Sequence, residues 1–141
     1  MSLTTITIIG VVVLAALIWL FFQTRSKDLI EEIMARRRAS SRLVCRAEFI
    51  EGPTRIPVAL SLATDRLCYE NPDLDACLEL HHIEEIEYDD ETATGHPVEG
   101  KVLRLRSHGH TFEFVLDRAV ARQWESTLAP KHIDQGTARA V

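Results

Sequence analysis

The chain has 141 residues and a mass of 16.0 kDa, with 46% hydrophobic and 26% charged residues and a formal net charge of −5. That length holds one ordinary domain and an appendage, and it excludes two full-sized cores. The charge is split: residues 1–46 carry a net +4 and residues 47–141 a net −9. An acidic domain is repelled by nucleic acid, which argues against a nucleic-acid role, and it docks on anionic lipid only with difficulty.

No charged side chain occurs from Ser2 to Thr24. As a helix, the twenty residues Leu3 to Phe22 span about 30 Å, the thickness of a bilayer's hydrocarbon core. A cleaved signal peptide needs a basic leader and a small-x-small cleavage site, whereas this run ends Trp19-Leu20-Phe21-Phe22-Gln23. A membrane anchor is therefore expected over residues 3–22. No basic side chain precedes it, while Arg25, Lys27, Arg36, Arg37, Arg38 and Arg42 follow. The positive-inside bias then places the N-terminus outside and the rest in the cytoplasm, attached to the cell's inner membrane as a single-pass protein. Trp19, Phe21 and Phe22, with those six basic residues, are the expected membrane-interface set. Gly10 lacks a small residue four positions away, so the anchor shows no helix-pairing motif.

Residues 23–42 read as a basic, amphipathic juxtamembrane segment. Leu29, Ile30, Ile33 and Met34 fall on one helical face, and Asp28 with Glu31 three residues later has the look of an N-terminal cap. A separate short helix is expected there, followed by an Ala39-Ser40-Ser41 linker.

From Leu43 the pattern turns to alternation, the mark of half-buried strands. Leu43, Cys45, Ala47 and Phe49 share one face up to Gly52-Pro53; Val58, Leu60 and Leu62 follow, then Leu67 and Tyr69 after a Thr64-Asp65 turn. Asn71-Pro72-Asp73 turns into Cys77 to Leu80, and His81-His82 leads to Ile83, Ile86 and Tyr88. Asp89 to Gly100 reads as a polar loop. Leu103 and Leu105 mark another strand, Ser107-His108-Gly109-His110 a hairpin turn, and Phe112, Phe114 and Leu116 the last strand. The period then becomes helical: Asp117 is a candidate N-cap, Val120, Trp124 and Leu128 form a stripe, and Pro130 ends it. Residues 130–141 read as a disordered tail. No helices alternate with strands, which excludes doubly wound nucleotide-binding folds.

Short strands, roughly seven, followed by one helix with a central Trp resemble the pleckstrin-homology-like superfold, including its GRAM and bacterial PH-like branches. The resemblance covers residues 43–129 and rests on LSLATDRLCYENPD, LELHHIEEIEY and TFEFVLDRAVARQWESTL. It implies a small β-rich barrel or sandwich of antiparallel strands capped by a C-terminal helix, with Trp124 plugging the open end. Phosphoinositide-binding members use basic residues around the loop between the first two strands. Here Glu51-Gly52-Pro53-Thr54-Arg55 offers one Arg offset by one Glu, so that headgroup site does not carry over.

Catalytic signals are absent: the sequence holds no G-x-S-x-G, no Gly-rich phosphate loop and no H-E-x-x-H. Neither an enzyme nor a cofactor is expected. His81-His82 and His108-x-His110 read as solvent-exposed turn residues rather than metal ligands. Cys45, Cys68 and Cys77 lack C-x-x-C spacing and are expected as reduced, buried thiols on a reducing side of the membrane. Glu84, Glu85, Glu87, Asp89, Asp90 and Glu91 form an acidic strip that reads first as a solvated strand edge and loop and second as a face for a basic partner surface. The expectation is a non-catalytic membrane protein whose cytoplasmic domain is a protein-interaction or structural module, an accessory subunit of a larger complex. Its partners would be membrane lipids, through the anchor, and a membrane protein. A lipid-binding or lipid-sensing module is the alternative.

Overall fold

A computed structural model describes residues 2–132, with the Ser26 side chain left out; the expected tail from 133 onward lies outside the described residues. One helix, α1 (Leu3–Arg38), replaces the two helices expected. No Pro or Gly interrupts the chain between Gly10 and Arg38, so nothing local stops the helix once the apolar run ends, and Asp28 sits inside it rather than at a cap. Ser2 caps the start, its hydroxyl accepting from the Thr5 amide, and Arg36, Arg37 and Arg38 occupy the last turn, where the helix dipole favours cations. At 36 residues the helix is about 54 Å long, well beyond what a bilayer core needs.

Seven strands follow: β1 (Leu43–Glu51), β2 (Thr54–Leu62), β3 (Arg66–Asn71), β4 (Leu74–Glu79), β5 (Ile83–Glu91), β6 (Pro97–Ser107) and β7 (His110–Leu116). They form one antiparallel curled sheet in the order β4-β3-β2-β1-β7-β6-β5. β1 pairs with β2 along its whole length but with β7 only through Glu48, Phe49 and Ile50. The sheet therefore opens along the first half of β1. Into the interior there packs α2 (Arg118–Thr127), whose Ala121 and Trp124 join Leu43, Cys45, Leu60, Leu105 and Phe114 in one buried cluster. Asp117 occupies the N-cap of α2, yet its carboxylate makes no capping bond. Leu128 is at the C-cap, and the chain then returns to β5, where Ile86 and Lys131 exchange backbone hydrogen bonds of 2.7 and 2.9 Å.

Two turns show the chemistry of tight hairpins. Gly52, at φ 57°, is the first of two central residues between β1 and β2, the place where a type II′ turn needs a positive φ. Between β6 and β7, His108 at φ 52° precedes Gly109 at φ 78°, the double positive φ of a type I′ turn. The loop expected over Asp89 to Gly100 shrinks to five residues, 92–96, because β5 runs on to Glu91 and β6 starts at Pro97. Asp89 and Asp90 remain in the strand because each meets a cation on β6, Arg104 and Lys101.

Candidate functional site

Two surfaces collect the charged and apolar groups that the core does not use. The first is the junction of α1 with the sheet. β2 is buried over five consecutive residues, Val58 to Leu62, because one face looks into the core and the other lies under α1. Ile30, Ile33 and Met34 press on Ala59 and Val44, forming a second apolar cluster outside the barrel. Polar contacts fix the register. Arg37 donates to Glu70 at 3.0 Å, Arg36 reaches the same carboxylate at 3.4 Å, and Arg46 donates to the Lys27 carbonyl and to Glu31 at 3.3 and 3.2 Å. At the turn after α1, the Arg42 amide donates to the Leu62 carbonyl at 2.7 Å and its guanidinium to the Ala63 carbonyl at 3.2 Å. Ala39-Ser40-Ser41 is thus a short, pinned corner.

This geometry divides the basic residues that follow the apolar run. Arg25 and Lys27 lie within about 8 Å of Phe22 along the helix axis, at headgroup height if Phe22 marks the edge of the hydrocarbon. Arg37 lies about 22 Å further along, beyond the ~8 Å over which exposed charges act at physiological salt, and it is spent on Glu70 and Asp75. Trp19, Phe21 and Phe22 are exposed, as is the rest of the apolar run, with Leu3 at 82% and Phe22 at 63%. An apolar surface that continuous is not left to water in a stable protein. Among the described residues α1 is the helix long and apolar enough to cross a membrane. Beside it, Trp19, Phe22, Lys27, Ile30, Arg46 and Pro57 line a groove of about 500 Å³.

The second surface is the outer face of β5, β6 and β7. Glu87, Arg104 and Glu113 stand in one cross-strand row, Glu87 opposite Arg104 on β6 and Arg104 opposite Glu113 on β7. The Arg104 guanidinium donates to Glu87 at 3.0 Å, Asp89 at 3.3 Å, Glu113 at 3.4 Å and the Glu91 carbonyl at 3.0 Å. Burial works against this cation, and the hydrogen bonds to Glu87 and Asp89 with the Glu113 charge outweigh it, so its pKa is raised. The Asp89 carboxyl is held below its usual range, first by the Asp90 amide donating to it at 2.7 Å and then by Arg104. Lys101 pairs with Asp90 at 2.7 Å and Arg106 loosely with Glu84 at 3.9 Å. Glu85 and the Glu91 side chain have no ion-pair partner among the described residues. The acidic strip is therefore partly neutralised from β6, while one guanidinium shared by three carboxylates leaves the surface net negative.

The cysteines depart from expectation. Cys68 on β3 and Cys77 on β4 are directly opposed, Cα atoms 4.0 Å apart, and are joined in a disulfide. The sequence hid this because the nine-residue separation matches no motif; only the hairpin register makes the two neighbours. Cys45 is free and buried, its thiol pushed up to about 12 by burial, with the Trp124 indole as hydrogen-bond partner. It carries no nucleophile at neutral pH. Trp124 itself is 1% exposed. No known family model, curated protein or solved structure matches the chain.

Proposed function

We propose that this chain is a non-catalytic, single-pass membrane protein whose PH-like cytoplasmic domain is a protein-interaction module, an accessory subunit of a membrane assembly. The observation that carries the reading is the continuity of α1. A helix apolar enough to cross a bilayer runs without a break onto the outer face of β1 and β2, where Ile30, Ile33 and Met34 are buried. A domain held this way keeps a fixed height and angle above the membrane, which suits an interaction surface for a neighbour in the same membrane and serves a freely diffusing ligand little. The PH-like reading is supported by the seven antiparallel strands, the single helix after the last of them and the Trp124 side chain filling the interior.

The cytoplasmic placement of the domain rests on the basic residues following the span, with none before it. In a reducing compartment two thiols of the glutathione class convert the Cys68–Cys77 disulfide to two cysteine thiols and leave as their own disulfide. The β3–β4 ladder, with six paired positions, holds the strands in place in either state.

The face offered to a basic partner is the outer side of β5, centred on Glu84 and Glu85, the first held only loosely by Arg106 at 3.9 Å and the second without an ion-pair partner among the described residues. Glu84→Lys with Glu85→Lys in the full-length protein, purified in mild detergent, is expected to weaken retention of a membrane partner, with a loss that changes with salt as exposed charge contacts do. A specific observation favours a lipid-binding alternative: the groove at Trp19, Phe22, Lys27 and Arg46 combines apolar walls with the Lys27 cation, beside an Arg46 that is paired with Glu31. Stoichiometric phospholipid retained through purification, with no protein partner, would replace the first reading by the second.

A further inference from the structure

At the pole away from the anchor, the end of β4, the 3₁₀ turn Leu80–His82 and the β6–β7 hairpin bring three histidines and a glutamate together. His81 Nε2 lies 3.3 Å and His82 Nδ1 3.2 Å from the same Glu79 carboxylate oxygen. One ligand atom from each of these three residues lies within 4.8 Å of the others. The His81 and His82 ring centroids are 4.0 Å apart, and His108, arriving from the hairpin turn, places its ring 4.8 Å from that of His82.

We infer that Glu79, His81, His82 and His108 form a binding site for a divalent transition-metal ion of the zinc type. The distances fit the chemistry. Four ligands on a tetrahedral ion with bonds of about 2.0–2.1 Å stand roughly 3.3 Å from one another, the separation already present between the Glu79 oxygen and both imidazole nitrogens. Two imidazoles on one such ion hold their ring centres about 5 Å apart, close to the His82–His108 spacing, while the His81 and His82 rings at 4.0 Å part by about 1 Å to share the ion and the His108 ring swings in from its contact with His82. Imidazole nitrogen with one carboxylate oxygen suits zinc, nickel or copper and not magnesium or calcium, which take oxygen donors.

Backbone geometry also points here. The 3₁₀ turn follows Glu79 directly, so His81 and His82 come back over the same Glu79 carboxylate oxygen with their rings side by side. His108 is the one non-glycine residue at positive φ among the described residues, in a turn position where Asn or Asp is common. Ser107, beside it, donates from its hydroxyl to the His82 carbonyl at 3.1 Å and ties the hairpin to the 3₁₀ turn. The ligands come from two segments about 25 residues apart, which explains why spacing in the sequence did not reveal the site.

Zinc titration of the full-length protein in mild detergent, repeated in a Cys68→Ser, Cys77→Ser variant so that thiols contribute no ligand, tests this. One zinc per chain is expected to bind saturably. His82→Ala and His108→Ala are each expected to weaken binding at least about tenfold, as losing even an outer-shell group does at metal sites. His96→Ala, in the loop at the opposite end of β6, should leave binding unchanged. All four ligand side chains are on the surface, so unaltered circular dichroism will show that the variants fold. The absence of saturable binding, or affinity indifferent to both His82→Ala and His108→Ala, would overturn the site. Neither outcome bears on partner binding at Glu84 and Glu85, so the site and the proposed function fail separately.

Discussion

Trp124→Ala is expected to cost the domain about 3–5 kcal/mol, a large fraction of the 5–15 kcal/mol that holds a typical domain together. The indole is 1% exposed and lies in the cluster with Cys45, Leu105 and Phe114 where the sheet opens beside β1. Its removal leaves a cavity that its neighbours cannot collapse to fill, because the strands carrying them are tied into the sheet. Trp124→Phe keeps much of the volume and should cost less. Denaturant titration of the full-length protein, followed by circular dichroism, reads both; a loss below about 1 kcal/mol for the alanine variant would mean that α2 does not close the core.

The second large effect is expected where α1 meets the sheet. Ile30 is 2% exposed between α1 and β2, and Ile30→Ala should cost about 2–5 kcal/mol. Here the loss falls on the contact between helix and sheet rather than on the barrel, so its clearest sign is local opening. Trypsin sites at Arg36, Arg37, Arg38 and Arg42 are shielded by helical backbone, the Glu70 pairs and the Arg42 bonds to β2 and the turn after it. Limited trypsinolysis of the Ile30→Ala variant should release the domain well before the wild type does. Equal cleavage rates would show that the apolar contact does not latch the domain to its anchor.

The sequence made the strands legible because each buries one face: Leu43, Cys45, Ala47 and Phe49 alternate as the core demands, and the Trp124 stripe has an unmistakable helical period. What the sequence does not display has a physical reason in each case. The union of the two helices was hidden because an uncharged run and an amphipathic run look like different objects, although no residue between them breaks a helix. That β2 is covered on both sides was signalled by the apolar stretch Val58-Ala59-Leu60, where the small Ala59 admits α1; an alternation-based reading sees only Val58, Leu60 and Leu62. The histidine group and the Cys68–Cys77 pair depend on strand register, which one sequence does not display. Charge fared in between: the acids of β5 were evident, but the cross-strand order that sets Arg104 among Glu87, Asp89 and Glu113 was not.

In the proposed reading α1 crosses the membrane once and holds the domain on the cytoplasmic side. Reporter fusions after Val141, expressed in a Gram-negative bacterium, test it most directly. With the domain in the cytoplasm, a C-terminal fluorescent protein that matures only there lights up at the membrane, an alkaline phosphatase active only outside stays silent, and the exposed Cys77 is recovered as a free thiol. An active phosphatase, a dark fluorescent fusion and an intact Cys68–Cys77 disulfide would contradict it and place the domain on the oxidising side.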